Sequence, residues 1–388
     1  MCIVGARPNF MKVAPVIEAL KPRSWATVSL VHTGQHYSRE MSELFFEALG
    51  LPTPDVDLQV GSGSHGEQTG QIMIRLEPLL QRDRPDIVLV FGDVNSTVAA
   101  ALCAAKLGIP VAHVEAGLRS FDRTMPEELN RVVTDHLSDV LFTTERSARE
   151  NLVREGISDA KIFFVGNVMV DTLLKHAKRA LGLNVARSFG LEPRTYALLT
   201  LHRPGNVDDP DTLGEIMGAI RELSRDLPVI FPCHLRTRER LNAMPKACST
   251  FGADRLILTD PLGYLEFLSL MSEACVVLTD SGGIQEETTV LSIPCLTLRP
   301  NTERPVTIEQ GGNVLVGTKR DRIIEAGRAA LRAPRTSHRR PELWDGHAAE
   351  RIADVFEGLL ESKDESTGGG AEPADQHVGS STSDSLRW

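Results

Sequence analysis

The sequence predicts an α/β protein built of two doubly wound halves that face each other across a cleft. Three observations carry this expectation. Short apolar runs alternate with helical stretches nearly throughout, the pattern of βαβ units and parallel sheets. The chain has 388 residues, long for a single hydrophobic core. The alternation also falls into two series, which meet at a loop-rich joint over 184–195.

The first series opens on an apolar strand over 2–4, then the turn Gly5-Ala6-Arg7-Pro8 and a helix over 11–20. Apolar, β-branched runs at 28–32, 87–91, 111–114, 140–142 and 162–165 read as its further strands. Residues 40–49, 67–80, 95–107 and 147–155 read as helices. Met125-Pro126-Glu127-Glu128 opens another, with Pro suited to a first turn and the two Glu to the positive end of the helix dipole. A helix over 168–181 leads to the second series. Its strands are expected at 196–199, 229–231, 256–258, 276–278 and 295–298, and its helices at 213–223, 264–272, 283–291 and 320–331. Residues 348–360 form a last amphipathic helix, and the polar, Gly/Ser-rich stretch after it reads as disordered. The expected division is a first domain over 1–167, a second over 168–345, a C-terminal helix within 346–360 and a tail over 361–388.

Composition narrows the function. The net charge of −10 disfavours nucleic acid as a partner, so an anionic ligand needs a locally basic cleft. The six cysteines are scattered without a CxxC pair, which argues against a zinc site or a disulfide framework. No apolar run is long enough to span a membrane, and the start goes straight into fold-forming sequence, so a cytoplasmic protein is expected.

The chemistry-bearing residues fall at strand ends. The run 275–279 ends in Asp280-Ser281-Gly282-Gly283 and opens a helix. Two glycines let backbone pass close to a ligand, and a helix start offers unpaired N–H groups to phosphate. Glu287 follows one turn on, within reach of sugar hydroxyls. Arg7 leaves the first strand, with Lys12 on the helix after it; the pair either faces a phosphate or lies on the surface. Asp93 ends the strand over 87–91, for proton chemistry or to cap the next helix. Glu115 ends a run of small and β-branched residues, where a carboxylate is poorly solvated and needs a partner. His202 and Arg203, and then His234, leave neighbouring strands of the second half. Arg304 follows the strand over 295–298, beside the glycine turn. The chain has no Walker loop and no HExxH motif. This favours acid–base chemistry on an anionic sugar nucleotide without metal or redox cofactor.

These motifs, taken in order, resemble the non-hydrolysing UDP-N-acetylglucosamine 2-epimerases. The similarity runs from Gly5 to about Thr318 through GARP…K, TGQH, FGD, HVEAGLRS, MPEELNR, GN, HR, TDSGGIQEE and TERP. It implies a GT-B-like fold of two Rossmann-like domains, UDP in the cleft, and a last helix packing back across the first domain. It also implies inversion at C2 of UDP-GlcNAc through elimination and re-addition of UDP, with Asp93, Glu115, Glu127 and His202 as the acid–base set. Arg7, Lys12, His234, Ser281, Gly282 and Gly283 would hold the diphosphate and nucleotide, Glu287 the ribose, and Arg304 would assist. A homodimer is the expected assembly. A glycosyltransferase and a catalytically silent sugar-nucleotide binder are the competing classes. The chain departs from the family pattern in having Asn9, Pro204-Gly205-Asn206 and Val306 where Glu-containing segments are usual.

Overall fold

The structure, a computed structural model, describes residues 1–34, 49–244, 255–333 and 340–368. The described strands form two sheets in which every pairing is parallel. The first contains β1 (Cys2–Val4), β2 (Leu30–His32), β3 (Val56–Asp57), β4 (Val88–Phe91), β5 (Val111–Ala116), β6 (Val140–Thr143) and β7 (Ile162–Phe164). Their order across the sheet is β3-β2-β1-β4-β5-β6-β7. The second contains β8 (Ala197–Thr200), β9 (Val229–Pro232), β10 (Leu256–Thr259), β11 (Val276–Thr279), β12 (Cys295–Thr297) and β13 (Asn313–Leu315), in the order β10-β9-β8-β11-β12-β13. Helices cover both faces, so central strands such as Val88–Phe91 are buried throughout and read as continuous apolar runs. These are the two doubly wound, Rossmann-like sheets expected. In each, strand order reverses beside the first strand, between β1 and β4 and between β8 and β11. Ligands of such sheets bind beyond the carboxyl ends at that switch.

Some elements differ from expectation for physical reasons. The edge strands β3 and β13 are two and three residues long, too short to leave a periodic signal. Helix Leu235–Ala243 was not expected because it is largely charged and buries only Thr237 and Leu241. The first helix starts at Arg7 rather than residue 11, since Pro8 fits its first turn. The last helix runs Ala348–Gly368, beyond the expected end at 360; Glu361, Lys363 and Glu365 are good helix formers despite their polarity. The rest of the expected tail, and all but the last residue of the expected helix over 40–49, lie outside the described residues.

Helix Val168–Leu181 joins the halves. Pro15 lies inside helix Arg7–Leu20 and cannot donate to the carbonyl of Met11. Thr172 Oγ1 donates to that carbonyl instead, at 2.6 Å. One apolar cluster therefore runs from Val4 and Phe10, through Leu173, to Leu268 of the second half and Ile352 of the last helix. Asp171 accepts the backbone N–H groups of Ala348 and Ala349 at 3.2 and 2.8 Å, meeting the open start of the last helix. That helix is held to the first half by Arg23, which pairs with Asp354 and Glu357, each at 2.6 Å.

Trp344 precedes the last helix, is buried, and donates its indole N–H to the Thr144 carbonyl at 2.9 Å. Replacing it with Ala should lower stability by about 3–5 kcal/mol, the cost of losing a buried aromatic side chain. Chemical denaturation of the full chain measures this, and a loss below about 1 kcal/mol would show that the indole does not anchor the returning segment.

Candidate active site

The carboxyl ends of β1, β4 and β5 bring Lys12, Asp93 and Glu115 together. Gly92, just after β4, has φ of 64°, and a Cβ there would lie 2.6 Å from Lys12 Nζ. Glycine is thus required both by the turn and by the ammonium above it. Glu115 has φ of 74°, unusual for a residue with a side chain, and the register between β5 and β6 shifts between Val114 and Ala116. The bulge aims its carboxylate out of the strand. Lys12 Nζ lies 2.7 Å from one Glu115 oxygen, and Arg304 of the second half lies 3.1 Å from the other.

Arg304 is the hub on the opposite side. Its Nε meets Glu286 at 2.6 Å and its Nη1 meets Glu303 at 2.5 Å. A Cβ at Gly282 would collide with Arg304 Nη1 and lie 2.7 Å from Glu303 Oε1. The missing side chain at 282 therefore makes room for this ion pair. Arg299 and Arg203 approach Glu303 at 2.7 and 3.4 Å, and Arg131 reaches it from the first half at 3.9 Å. Burial pushes Glu303 upward, but Arg304, Arg131 and Arg299 outweigh it and hold the carboxyl well below its usual range. Burial likewise opposes ionisation of Asp93, and Arg131, with Lys12 and Arg304 behind it, keeps its pKa low. Burial pushes Glu286 up to about 7 against the pull of Arg304.

His202 is more than half exposed, and its Nδ1 lies 2.8 Å from Asp280, which is fully buried. Asp280 also accepts the backbone N–H groups of His202 and Arg203 and the side-chain amide of Asn206. Burial raises its pKa, but His202 outweighs that and the carboxyl is lowered. Nε2 of an imidazole oriented this way is left for proton transfer.

The other expected residues fall as follows. Glu127 is half-buried in the first turn of helix Pro126–Leu137, near enough to Arg203 to favour its charge. Ser281 stands at the N-cap position of helix Gly282–Leu291, with Gly283 in its first turn beside Met169. Glu287 is buried one turn on and accepts the Tyr264 hydroxyl at 3.2 Å. His234 is exposed after β9. Arg7 opens its helix, but its side chain lies outside the described ones. Lys12 is buried, and its ammonium meets Glu115. Sequence reasoning passed over Arg131, Asp280, Glu286, Arg299 and Glu303 as site residues. All sit within quoted motifs or one strand end away, and only the fold turns them inward. Two of the departing residues, Asn9 and Asn206, have structural roles. Asn9 accepts the N–H groups of Gly5 and Ala6 and donates to the Phe91 carbonyl at 2.7 Å, tying the first turn to β4. Asn206 bridges Asp280 and the Leu298 carbonyl.

Fold and site together define a GT-B-like α/β protein in which a buried carboxylate of one half meets, through Arg304, a glycine turn at a helix start of the other. The family model for UDP-N-acetylglucosamine 2-epimerase matches residues 18–357. A Methanocaldococcus jannaschii UDP-N-acetylglucosamine 2-epimerase is 46% identical over 361 residues, 91% of this chain and 97% of the relative. A Pseudomonas aeruginosa UDP-2,3-diacetamido-2,3-dideoxy-D-glucuronate 2-epimerase is 42% identical, over 92% of this chain and 98% of its own. The crystal structure of the M. jannaschii UDP-GlcNAc 2-epimerase, in complex with UDP-GlcNAc and UDP, superposes with a TM-score of 0.86 at 46% identity, covering 92% of this chain and 99% of that one. The chain belongs to the UDP-N-acetylglucosamine 2-epimerase family of isomerases.

Glu145, at the start of helix Arg146–Arg154, accepts the Ser147 hydroxyl, and burial pushes its pKa from 4.5 up to about 7. A carboxyl raised on folding stabilises the fold below its unfolded pKa, and that contribution is lost as pH rises through about 7. Glu145→Gln should therefore match wild type near pH 4.5 and gain up to about 3 kcal/mol over it above pH 7. Denaturant titrations across that range measure the difference; a constant gap would contradict the shift.

Proposed function

We propose that this protein interconverts UDP-GlcNAc and UDP-ManNAc by inverting C2 of the sugar. The observation that carries the reading is Glu115, held between Lys12 and Arg304 where the two halves meet, opposite the Ser281-Gly282-Gly283 helix start. The names of the relatives give the substrate class. C2 has no neighbouring carbonyl, so direct proton abstraction there is unfavourable. Anti elimination avoids this: the C1–O bond to UDP breaks as the C2 proton leaves, giving 2-acetamidoglucal. Syn re-addition returns UDP to C1 and a proton to C2 in the opposite configuration.

The scheme needs a base, an acid and cations for the departing UDP. Asp93, Glu115, Glu127 and His202 make up the acid–base set, with the group that takes the C2 proton left open. Asp93 suits a base because Arg131 keeps it ionised, and His202 suits a proton carrier because Asp280 orients its ring. Arg7, Lys12, His234, Ser281, Gly282 and Gly283 hold the diphosphate and nucleotide, Glu287 the ribose, and Arg304 assists. The domain division 1–167, 168–345, 346–360 and 361–388 belongs to the same proposal, supported by the separation of the two sheets. So does a homodimer, consistent with the exposed Ile74, Leu129 and Val133 on packed helices of the first half. The Pseudomonas relative's name makes the diacetamido-glucuronate the second substrate to assay.

Purified protein incubated with UDP-GlcNAc in deuterated water, without added metal or nicotinamide, should form UDP-ManNAc and carry deuterium at C2. Glu115→Gln and His202→Ala should retain UDP binding and lose about 10²–10⁴-fold in turnover. Neither conversion nor exchange on either substrate, from folded protein that binds UDP, would overturn the proposal.

A further inference from the structure

Behind the mouths of β4 and β5 lies a buried pair of residues that the scheme above does not use. His113, in the middle of β5, and Asp135, on helix Pro126–Leu137, are both fully buried. His113 Nδ1 lies 2.7 Å from Asp135 Oδ1, and Nε2 lies 2.8 Å from the carbonyl oxygen of Gly92. Both partners are acceptors, so the ring donates from both nitrogens. The other Asp135 oxygen accepts the backbone N–H of Gly117 at 3.1 Å and pairs with Arg119 at 2.7 Å. Arg119 in turn forks onto Glu155 at 2.8 and 2.7 Å.

Gly92 immediately precedes Asp93, and Gly117 follows Glu115 by two residues. Gly92, Glu115 and Gly117 all have positive φ, at 64°, 74° and 81°. Glycine adopts positive φ without strain at 92 and 117, but Glu115 does not, so the turn after β5 needs support from its surroundings. One carboxylate thus fixes both turns, directly at Gly117 and through the imidazole at Gly92. We propose that His113 and Asp135 are positioning residues that set the spacing of Asp93 and Glu115 for the proton transfers. The inference rests on the reading that those two carboxylates serve the reaction. Burial opposes ionisation of Asp135, yet His113 and Arg119 outweigh it and lower its pKa, in keeping with a charged clamp. The charged groups facing the ring are Asp135 and, behind it, Arg119, with Glu155 closing the chain of pairs.

The two ring nitrogens can be tested apart. His113→Asn keeps a donor at the reach of Nδ1 and loses the bond to Gly92. His113→Gln keeps a donor at the reach of Nε2 and loses the bond to Asp135. Asp135→Asn removes the charge that serves both turns. In the full chain, His113→Asn and Asp135→Asn should lower kcat about 10²-fold, the scale of an ångström-level misplacement. KM and the UDP dissociation constant should stay within about threefold, and the pH profile of kcat should shift. His113→Gln should recover about tenfold of the loss. Folded His113→Asn and Asp135→Asn proteins with wild-type kcat and pH profile, or equal losses in both His113 variants, would overturn the proposal. Should the variants not fold, or the wild type not epimerise, NMR of wild-type protein labelled with ¹⁵N-histidine decides. One histidine whose two ring N–H protons both exchange slowly supports the clamp, and none with two overturns it.

Discussion

The site depends on one buried cation. Arg304 is almost fully enclosed and meets three carboxylates, of which Glu286 and Glu303 belong to its own half and Glu115 to the other. A guanidinium out of water must be paired, because stripping one partner from such a group costs on the order of 3–5 kcal/mol. That requirement propagates outward. Gly282 must lack a side chain to admit the guanidinium. Glu303 must be shared among Arg131, Arg203, Arg299 and Arg304 to remain charged. Glu115 must leave its strand through a bulge in the left-handed region to reach across.

The sheets explain why these groups can meet at all. Both are parallel, so every strand ends at the same edge, and both reverse their order beside the first strand. Lys12, Asp93 and Glu115 rise from one edge, and His202, Asp280 and Arg304 from the other. Helix Val168–Leu181 and the returning C-terminal helix fix the two edges relative to each other through a shared core rather than a flexible tether. The strain at Glu115 is offset by Lys12 and Arg304, which place a carboxylate where a strand in regular register would not.

Much of this was legible in the residues. Apolar runs ending in Gly-Asp, Glu-Ala-Gly, His-Arg and Asp-Ser-Gly-Gly located the strand mouths, and with them Asp93, Glu115, His202 and Ser281. What the sequence did not disclose follows from fold-dependent pairing. Glu303 and Glu286 carry no signal of their own in the sequence, and only the fold turns Arg304 onto them. Asp280 read as part of a phosphate turn, whereas it accepts three backbone and side-chain N–H groups and orients His202. Asn9 looked like a missing carboxylate and proved to be a staple between β1 and β4, a role requiring both an acceptor and a donor that glutamate does not combine. Edge strands of two or three residues and the charged helix Leu235–Ala243 lack the periodicity on which pattern reading relies.

Glu115 and Arg304 act as one unit across the meeting of the two halves. A double-mutant cycle on kcat/KM with Glu115→Gln, Arg304→Lys and the double variant tests it most directly. Lysine retains the charge but not the fork that touches three carboxylates. Strong non-additivity is expected, with the double variant about as impaired as the worse single variant and a coupling of at least ~1.5 kcal/mol. Losses that simply add, to within about 0.5 kcal/mol, would contradict it.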